Sequence, residues 1–231
     1  MKWNLEKFLL LFLLIEAGCS QQNFTTNENS HEFIYSPYES FITLFPSFFF
    51  QNIIELKSYI RSNEFSDFKK REGDLAAVDE IYFQAIELTR GNTGIALLIS
   101  TFATFDHFTV DLRVPIFKIK IPLTSETKEE FEERLNSIPS NLYKDSPKGY
   151  GDRDKLQHFF GSAFLTYVFE NKAAADRYSE FVEVFEDNYI YSVGFDVRDI
   201  AANRDGQRFG YGLSKYYRTK PSDILKNKSA K

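Results

Sequence analysis

An acid and an imidazole lie one helical turn apart in the C-terminal half of the chain, at Asp154 and His158. Positions i and i+4 share one face of a helix, so these two side chains are able to touch. Residues 156–169 are apolar at nearly every position, which predicts a buried helix of a bundle. A buried imidazole needs a hydrogen-bond partner, and the carboxylate would fix its tautomer and raise its basicity. The pair is therefore a candidate for acid–base chemistry.

A helix further along the chain carries a complementary stripe at Asp199, Asn203, Gly206 and Gly210. Glycine inside a helix costs roughly 1 kcal/mol relative to alanine, so two glycines on one face predict that another helix packs closely there. The polar end of the stripe would then meet the acid–imidazole pair of the earlier helix. Spacing within one helix does not establish a contact between two, so this meeting is a prediction.

A third helix is expected between these two, at about 172–187. Glu183 projects about 180° from its apolar stripe, and Glu186 about 120°. Each glutamate either joins the polar constellation or lies on a solvated face.

The order and spacing of these residues resemble the VanZ-like family and the related YfiM-type envelope lipoproteins. The resemblance covers about 150–213 and rests on three motifs: Asp154-Lys155-Leu-Gln-His158-Phe159, Glu183 with Glu186, and Asp199-x-x-x-Asn203-x-x-Gly206-x-x-x-Gly210. VanZ relatives usually carry Gln where Glu186 stands, and an Arg before the last helix that the sequence pattern does not locate here. Many of them also span the membrane, whereas these helices carry too many charges, so the lipoprotein branch is the closer likeness. The resemblance implies an envelope protein and no settled reaction.

The constellation has two main interpretations. In the first it is a catalytic site of an envelope hydrolase or transferase, acting by general acid–base or metal-assisted chemistry. The candidate catalytic residues are Asp154, His158, Glu183, Asp199 and Asn203, and the candidate ligands of a divalent metal are His158, Asp154 and Glu186. Metal-activated water is favoured there over a side-chain nucleophile, because Cys19 is expected to carry a lipid and Ser162 lies inside a packed helix. No HExxH or other dedicated metal motif supports the metal itself. In the second interpretation the same residues form a satisfied polar network within a binding or scaffold protein. The high Phe content leaves a lipid-binding carrier as a third.

The N-terminus has the composition of an export signal that ends at the one cysteine of the chain. Residues 8–15 are an unbroken apolar run, shorter than the roughly 20 residues of a membrane-spanning helix. Cys19 follows Ala-Gly, so the segment resembles a bacterial lipobox, although Glu16 stands where Leu is usual. We expect residues 1–18 to be removed, Cys19 to be lipidated, and the polar residues 20–32 to form a tether. Simple export is the alternative.

These signals predict an exported protein whose partners are a membrane, through the lipid, and an unidentified envelope component. By the same resemblance, Ser20 after the cysteine favours the outer membrane. The net charge of −5 argues against a nucleic-acid partner. A single cysteine excludes an intrachain disulfide and a thiolate metal site.

The predicted fold class is α+β, with a small antiparallel β-meander in the N-terminal half and a bundle of about three helices in the C-terminal half. Of the 231 residues, 43% are hydrophobic, which suffices for a packed core. Residues 33–138 are expected to hold an aromatic-rich helix at 47–61 and then the β region. Residues 150–213 form the VanZ-like helical region. The basic tail at 214–231 is either a frayed end or a contact for anionic lipid.

The β region is predicted from alternating and continuous apolar runs. Its expected strands are Ile81–Leu88, Ile95–Phe105, Phe108–Val114 and Phe117–Ile121. The charged segment 62–76 and the Pro/Gly/Ser-rich segment 139–152 are expected as loops, and Thr127–Leu135 as a short acidic helix. His107 is expected to be a solvated turn histidine beside Asp106.

Overall fold

The computed structural model describes residues 48–114, 117–122, 124, 126–169 and 197–225. Eight α-helices and one pair of antiparallel strands lie within these ranges. In chain order the elements are α1 (Phe48–Arg61), α2 (Asn63–Glu72), α3 (Asp74–Leu88), α4 (Thr93–Ala103), β1 (Thr109–Val114), β2 (Phe117–Pro122), α5 (Lys128–Ser137), α6 (Lys155–Phe169), α7 (Val197–Lys215) and α8 (Pro221–Leu225).

One apolar core joins the two halves of the chain and extends from Phe49 in α1 to Leu225 in α8. Helix α4 lies at its centre and packs against α1, α3 and α6. Helix α7 packs along α6, and α8 packs on both α3 and α7. The candidate site residues on α6 and α7 therefore rest on the same core as the N-terminal helices.

The central helix α4 is apolar on every side, and residues 96–103 are all buried. Its hydroxyl groups are satisfied within the helix, because Ser100, Thr101 and Thr104 each donate a hydrogen bond of 2.8 Å to the carbonyl four residues earlier. The side chain of Asn92 caps its start by accepting from the amide of Ile95. This segment buries polar groups without needing a neighbouring strand.

The α+β prediction with a β-meander is wrong, because two of its four strands are helices. Ile81–Leu88 belongs to α3, and most of Ile95–Phe105 belongs to α4. A short apolar run does not distinguish a buried strand from a buried helix. Residues 90–94, whose Gly and Asn predict a turn between two strands, instead join two helices, with positive φ at Arg90 and Gly91. The strands among the described residues are β1 and β2, paired antiparallel with Val114 opposite Phe117. The fold is a helical one with a two-stranded ribbon.

The helices expected at 47–61 and 127–135 are confirmed as α1 and α5. A capping box of Thr127 and Glu130 starts α5. The loop expected at 62–76 is wrong, since Ser62 caps α2 by accepting from the amide of Phe65. The export signal, the lipidation site, the tether, and the helix expected at 172–187 lie outside the described residues.

Candidate functional site

Gly206 and Gly210 lie where the backbone of α7 comes closest to α6. A Cβ added at Gly206 would stand 2.9 Å from the carbonyl carbon of Phe159 and closer still to its oxygen. One at Gly210 would meet the carbonyl group of Ala163 in the same way. Only a residue without a Cβ fits at these positions, and the close approach brings the polar end of α7 against the start of α6.

The centre of the site is the ammonium group of Lys155, which lies between two carboxylates. Its Nζ is 2.5 Å from Oδ2 of Asp154 and 2.6 Å from Oδ1 of Asp199. The side chains of Lys155 and Asp199 are 4% and 7% exposed. Sequence reasoning used Lys155 only as part of a motif and did not predict this bridge between helices.

The imidazole of His158 faces α7, and its Nε2 lies 3.5 Å from Oδ1 of Asp199 with 11% of the side chain exposed. The sequence predicts that Asp154 orients this ring, but Asp154 pairs with Lys155 and the carboxylate beside the ring is that of Asp199. The predicted meeting of the two helices is therefore present, with a different acid in contact with the imidazole.

Asp154 is the more exposed of the two acids, at 26% of its side chain. Burial raises its pKa, and the charges of Asp106 and Asp199 act in the same direction, whereas the pairing with Lys155 opposes them. The net direction is upward, so this carboxylate takes up a proton at a higher pH than an ordinary aspartate does.

Deeper between the helices, the hydroxyl of Ser162 donates a hydrogen bond of 2.9 Å to Oδ1 of Asn203. Both residues are buried. This places Asn203 one turn further into the interface than Asp199, and it leaves Ser162 inside the packed helix, where the sequence predicts it.

A second acid–imidazole pair, which the sequence interpretation dismissed, lies at Asp106 and His107. Oδ1 of Asp106 is 2.6 Å from Nδ1 of His107, and Oδ2 accepts a hydrogen bond of 2.5 Å from the hydroxyl of Tyr150. Asp106 is buried, whereas the imidazole is 46% exposed. His107 is thus exposed beside Asp106, as the sequence predicts, and in addition the carboxylate favours the tautomer with its proton on Nδ1.

The electrostatics of this second pair depend on its neighbours. Burial disfavours the charged form of Asp106, but the hydrogen bonds from His107 and Tyr150 and the positive charge of His107 outweigh it, so its pKa lies below the usual value. The charge of His158 lowers the pKa of Asp106 further, so both imidazoles act on the same carboxylate. Burial and the Asp106 charge raise the pKa of Tyr150, which stays a hydrogen-bond donor.

An arginine in the first turn of α7 ties that helix to the loop before α6. The guanidinium of Arg198 donates from both Nε and Nη2 to Oδ1 of Asp152, whose side chain is fully buried. Its Nη1 is 3.3 Å from the carboxylate of Asp145, and the guanidinium lies over the ring of Tyr143. Sequence reasoning missed this group because the partners of Arg198 lie in an irregular loop and carry no periodic signal.

Glu183 and Glu186 lie outside the described residues, so their part in the site stays a prediction. Among the residues described, no three His, Cys, Asp or Glu side chains are grouped to hold a metal ion. In the network of α6 and α7, the positive charge between the two carboxylates is that of Lys155.

None of the eight helices in the described ranges combines the length and the apolar character needed to cross a membrane. Comparisons with family models, with curated proteins and with solved structures gave no match to this chain. The likeness to VanZ-like and YfiM-type proteins therefore stays a prediction from the motifs.

Proposed function

We propose that this protein is an exported lipoprotein of the bacterial cell envelope, anchored by a lipid on Cys19 in the outer membrane, with a helical domain that serves as a binding or scaffold module. Its polar network fixes the register of α6 against α7 instead of performing a reaction. The export signal in residues 1–19 and the motif likeness to YfiM-type lipoproteins support the location. The partner in this proposal is an envelope component.

The observation that carries the scaffold role is the pairing of Lys155 with both Asp154 and Asp199, at 2.5 and 2.6 Å. The lysine offsets one of the two negative charges from within the chain. The Ser162–Asn203 hydrogen bond extends the same network into the interface. These paired groups specify one alignment of the two helices, because any slip would separate Lys155 from a buried carboxylate.

Replacing His158 with alanine tests whether the network is structural. We expect the free energy of unfolding to fall by about 1–2 kcal/mol, since the buried Asp199 loses a polar neighbour. We expect the metal content of the purified protein, measured by mass spectrometry, to be the same with and without the change. His107→Ala removes the half-exposed imidazole and serves as the control for incidental metal binding by histidine.

The second candidate function is an envelope hydrolase or transferase that uses the same residues by acid–base or metal-assisted chemistry. It is favoured by the effect of the His158 charge on the pKa of Asp106, the carboxylate that His107 and Tyr150 contact, because this links the two acid–imidazole groups electrostatically. A stoichiometric metal in the wild-type protein that His158→Ala removes, with stability unchanged, would establish this function and exclude the scaffold role.

Replacing Cys19 with serine tests the anchor. We expect the wild-type protein to incorporate labelled palmitate and to sediment with the outer membrane, because several acyl chains hold it there. The Cys19→Ser protein should take up no label and leave the membrane fraction. Ser20→Ala, which keeps the thiol, is the matched control. Unlabelled wild-type protein would exclude the lipid anchor and leave the prediction for His158 standing.

A further inference from the structure

The outer face of α7 has an unusual composition. Every position from 204 to 215 that is exposed to solvent carries a cation or a tyrosine, namely Arg204, Arg208, Tyr211 and Lys215. Their spacing of four, three and four residues places them in one stripe. The buried glycines of α7 face α6, so this stripe is the side of the helix that the core leaves open.

The stripe continues into the turn between α7 and α8. The exposed residues there are Tyr216, Tyr217, Arg218 and Lys220. We call these four residues and the four of the stripe the α7–α8 surface. The exposed acid beside them is Asp223, which accepts a hydrogen bond from the amide of Lys220. The surface thus holds five cations in a chain whose net charge is −5, so the charges are segregated.

Two cations of the α7–α8 surface lie over tyrosine rings of the same surface. The ammonium of Lys215 is 5.4 Å from the ring centre of Tyr211, and the guanidinium of Arg218 is 5.5 Å from that of Tyr217. Tyr216 and Tyr217 are 74% and 80% exposed. A solvated charged face has no need of exposed rings, whereas tyrosine is enriched at the headgroup level of membranes, where its ring is apolar and its hydroxyl is wet.

We propose that the α7–α8 surface binds the anionic headgroups of a phospholipid membrane and so holds the helical domain against the bilayer in one orientation. Lysine and arginine meet the lipid phosphates, and the tyrosine rings enter the headgroup layer. Charge complementarity and the exposed rings select a membrane over a soluble acidic partner, because a polyanion in water gains little from the rings.

The inference rests on the proposed function, since the lipid on Cys19 is what brings this surface to a membrane. At most about 100 Å of chain joins Cys19 to Phe48, at roughly 3.5 Å per residue. Because the lipid holds the domain within this distance of the bilayer, the α7–α8 surface is at a high effective concentration at the headgroups. Contacts that are weak for a free protein can therefore form. Lys226, Lys228 and Lys231 follow the surface in the sequence and have the same charge.

The test uses the full chain with Cys19→Ser, which removes the native thiol, and Tyr216→Cys, which carries a nitroxide spin label. We measure how accessible the label is to oxygen and to a water-soluble nickel chelate on two kinds of vesicle. One is phosphatidylcholine alone, and the other is an equimolar mixture with phosphatidylglycerol. On the anionic vesicles we expect access to the chelate to fall severalfold and access to oxygen to rise, with no change on the neutral ones.

Two controls separate this contact from other ways of binding vesicles. A label at Glu129→Cys on α5, which packs on α1, should stay equally accessible on both vesicles. Neutralising Arg204, Lys215 and Arg218 to glutamine should lower binding to the anionic vesicles by up to about 100-fold, at roughly fivefold per cation. Arg208 is kept because it pairs at 2.7 Å with the buried Asp205, and equal melting temperatures would confirm that the variant folds.

A label at position 216 that stays in water on anionic vesicles overturns the inference, and so does a triple variant that binds as well as the parent. Tight binding of heparin together with a water-exposed label on vesicles also overturns it, and assigns the surface to a soluble polyanion. Because the protein under test has no lipid, none of these results bears on the anchor, which the palmitate experiment decides separately.

Discussion

Replacing Gly206 with alanine is expected to lower the free energy of unfolding by at least about 3 kcal/mol, measured by denaturant titration. Helix propensity alone would make this substitution stabilising by roughly 1 kcal/mol. The new Cβ would instead meet the carbonyl group of Phe159 and stand 3.0 Å from Cβ of Ser162. A backbone carbonyl cannot rotate away as a side chain can, so α7 must move off α6 and strain the contact between Lys155 and Asp199.

Gly161 on the partner helix is the matched control, because an added Cβ there meets only Cγ2 of Thr101, at 3.4 Å. Gly161→Ala should therefore leave stability unchanged or raise it by up to about 1 kcal/mol. If Gly206→Ala and Gly161→Ala behave alike, the helices are not in close contact and the network between them has no rigid support.

The contact between α6 and α7 is predictable from the sequence because it depends on helical spacing. Two glycines four residues apart mark a face that must approach another backbone, whatever the rest of the fold is. The caps of α5 are equally local, since Thr127 and Glu130 form hydrogen bonds within four residues. Features of this kind depend only on residues about one helical turn apart, so the sequence pattern of one helix predicts them.

The central helix α4 is not predictable in the same way. Its residues are apolar on all sides, so no period separates helix from strand, and only the surrounding helices decide. In α3 the buried positions Ala77, Val78, Ile81, Tyr82 and Ala85 do follow helical spacing. A strand prediction that begins at Ile81 omits the first two turns of the helix, where this spacing starts.

The residues of the candidate site are likewise predictable only where their positions depend on helical spacing. Helical spacing predicts the faces on which His158 and Asp199 lie. Their contact follows because the glycines align α6 with α7. Asp106 and Tyr150 are 44 residues apart and lie outside helices and strands, so no sequence period relates them. Their hydrogen bond depends on the path of two loops, which only the whole fold determines.

Replacing Arg134 with methionine is expected to cost about 3–5 kcal/mol of unfolding free energy. The arginine is fully buried, and its Nε and Nη2 donate to the carboxylate of Glu126 at 2.7–2.9 Å. Its Nη1 donates to the carbonyls of Ala103 and Phe105 at 3.0 and 2.8 Å, at and just beyond the end of α4. The variant leaves two carbonyls without this donor. The buried carboxylate keeps the charges of Arg61 and Lys57 and the hydrogen bond from Thr124, but loses its arginine fork.

The loss should depend on pH, which distinguishes a missing ion pair from a simple packing defect. Burial alone would raise the pKa of Glu126, but the hydrogen bond and charge of Arg134 and the charge of Lys57 hold it below the usual value. The ionised carboxylate therefore stabilises the wild type at neutral pH, and this contribution is lost as pH falls through the lowered pKa. The difference between wild type and variant should shrink below the ordinary glutamate pKa of about 4.3.

Two further arginine variants show whether the stability loss of Arg134→Met comes from the missing hydrogen bonds and ion pair. Arg134→Lys keeps the charge but not the planar fork that reaches the carboxylate and both carbonyls, so it should recover only part of the loss. Arg71→Met removes an arginine that is 65% exposed and pairs with its neighbour Glu72, and should change stability by less than about 0.5 kcal/mol. A pH-independent loss in Arg134→Met would mean that the ion pair with Glu126 does not contribute to stability. A loss no larger than that of Arg71→Met would mean that the hydrogen bonds of Arg134 to the end of α4 do not contribute either.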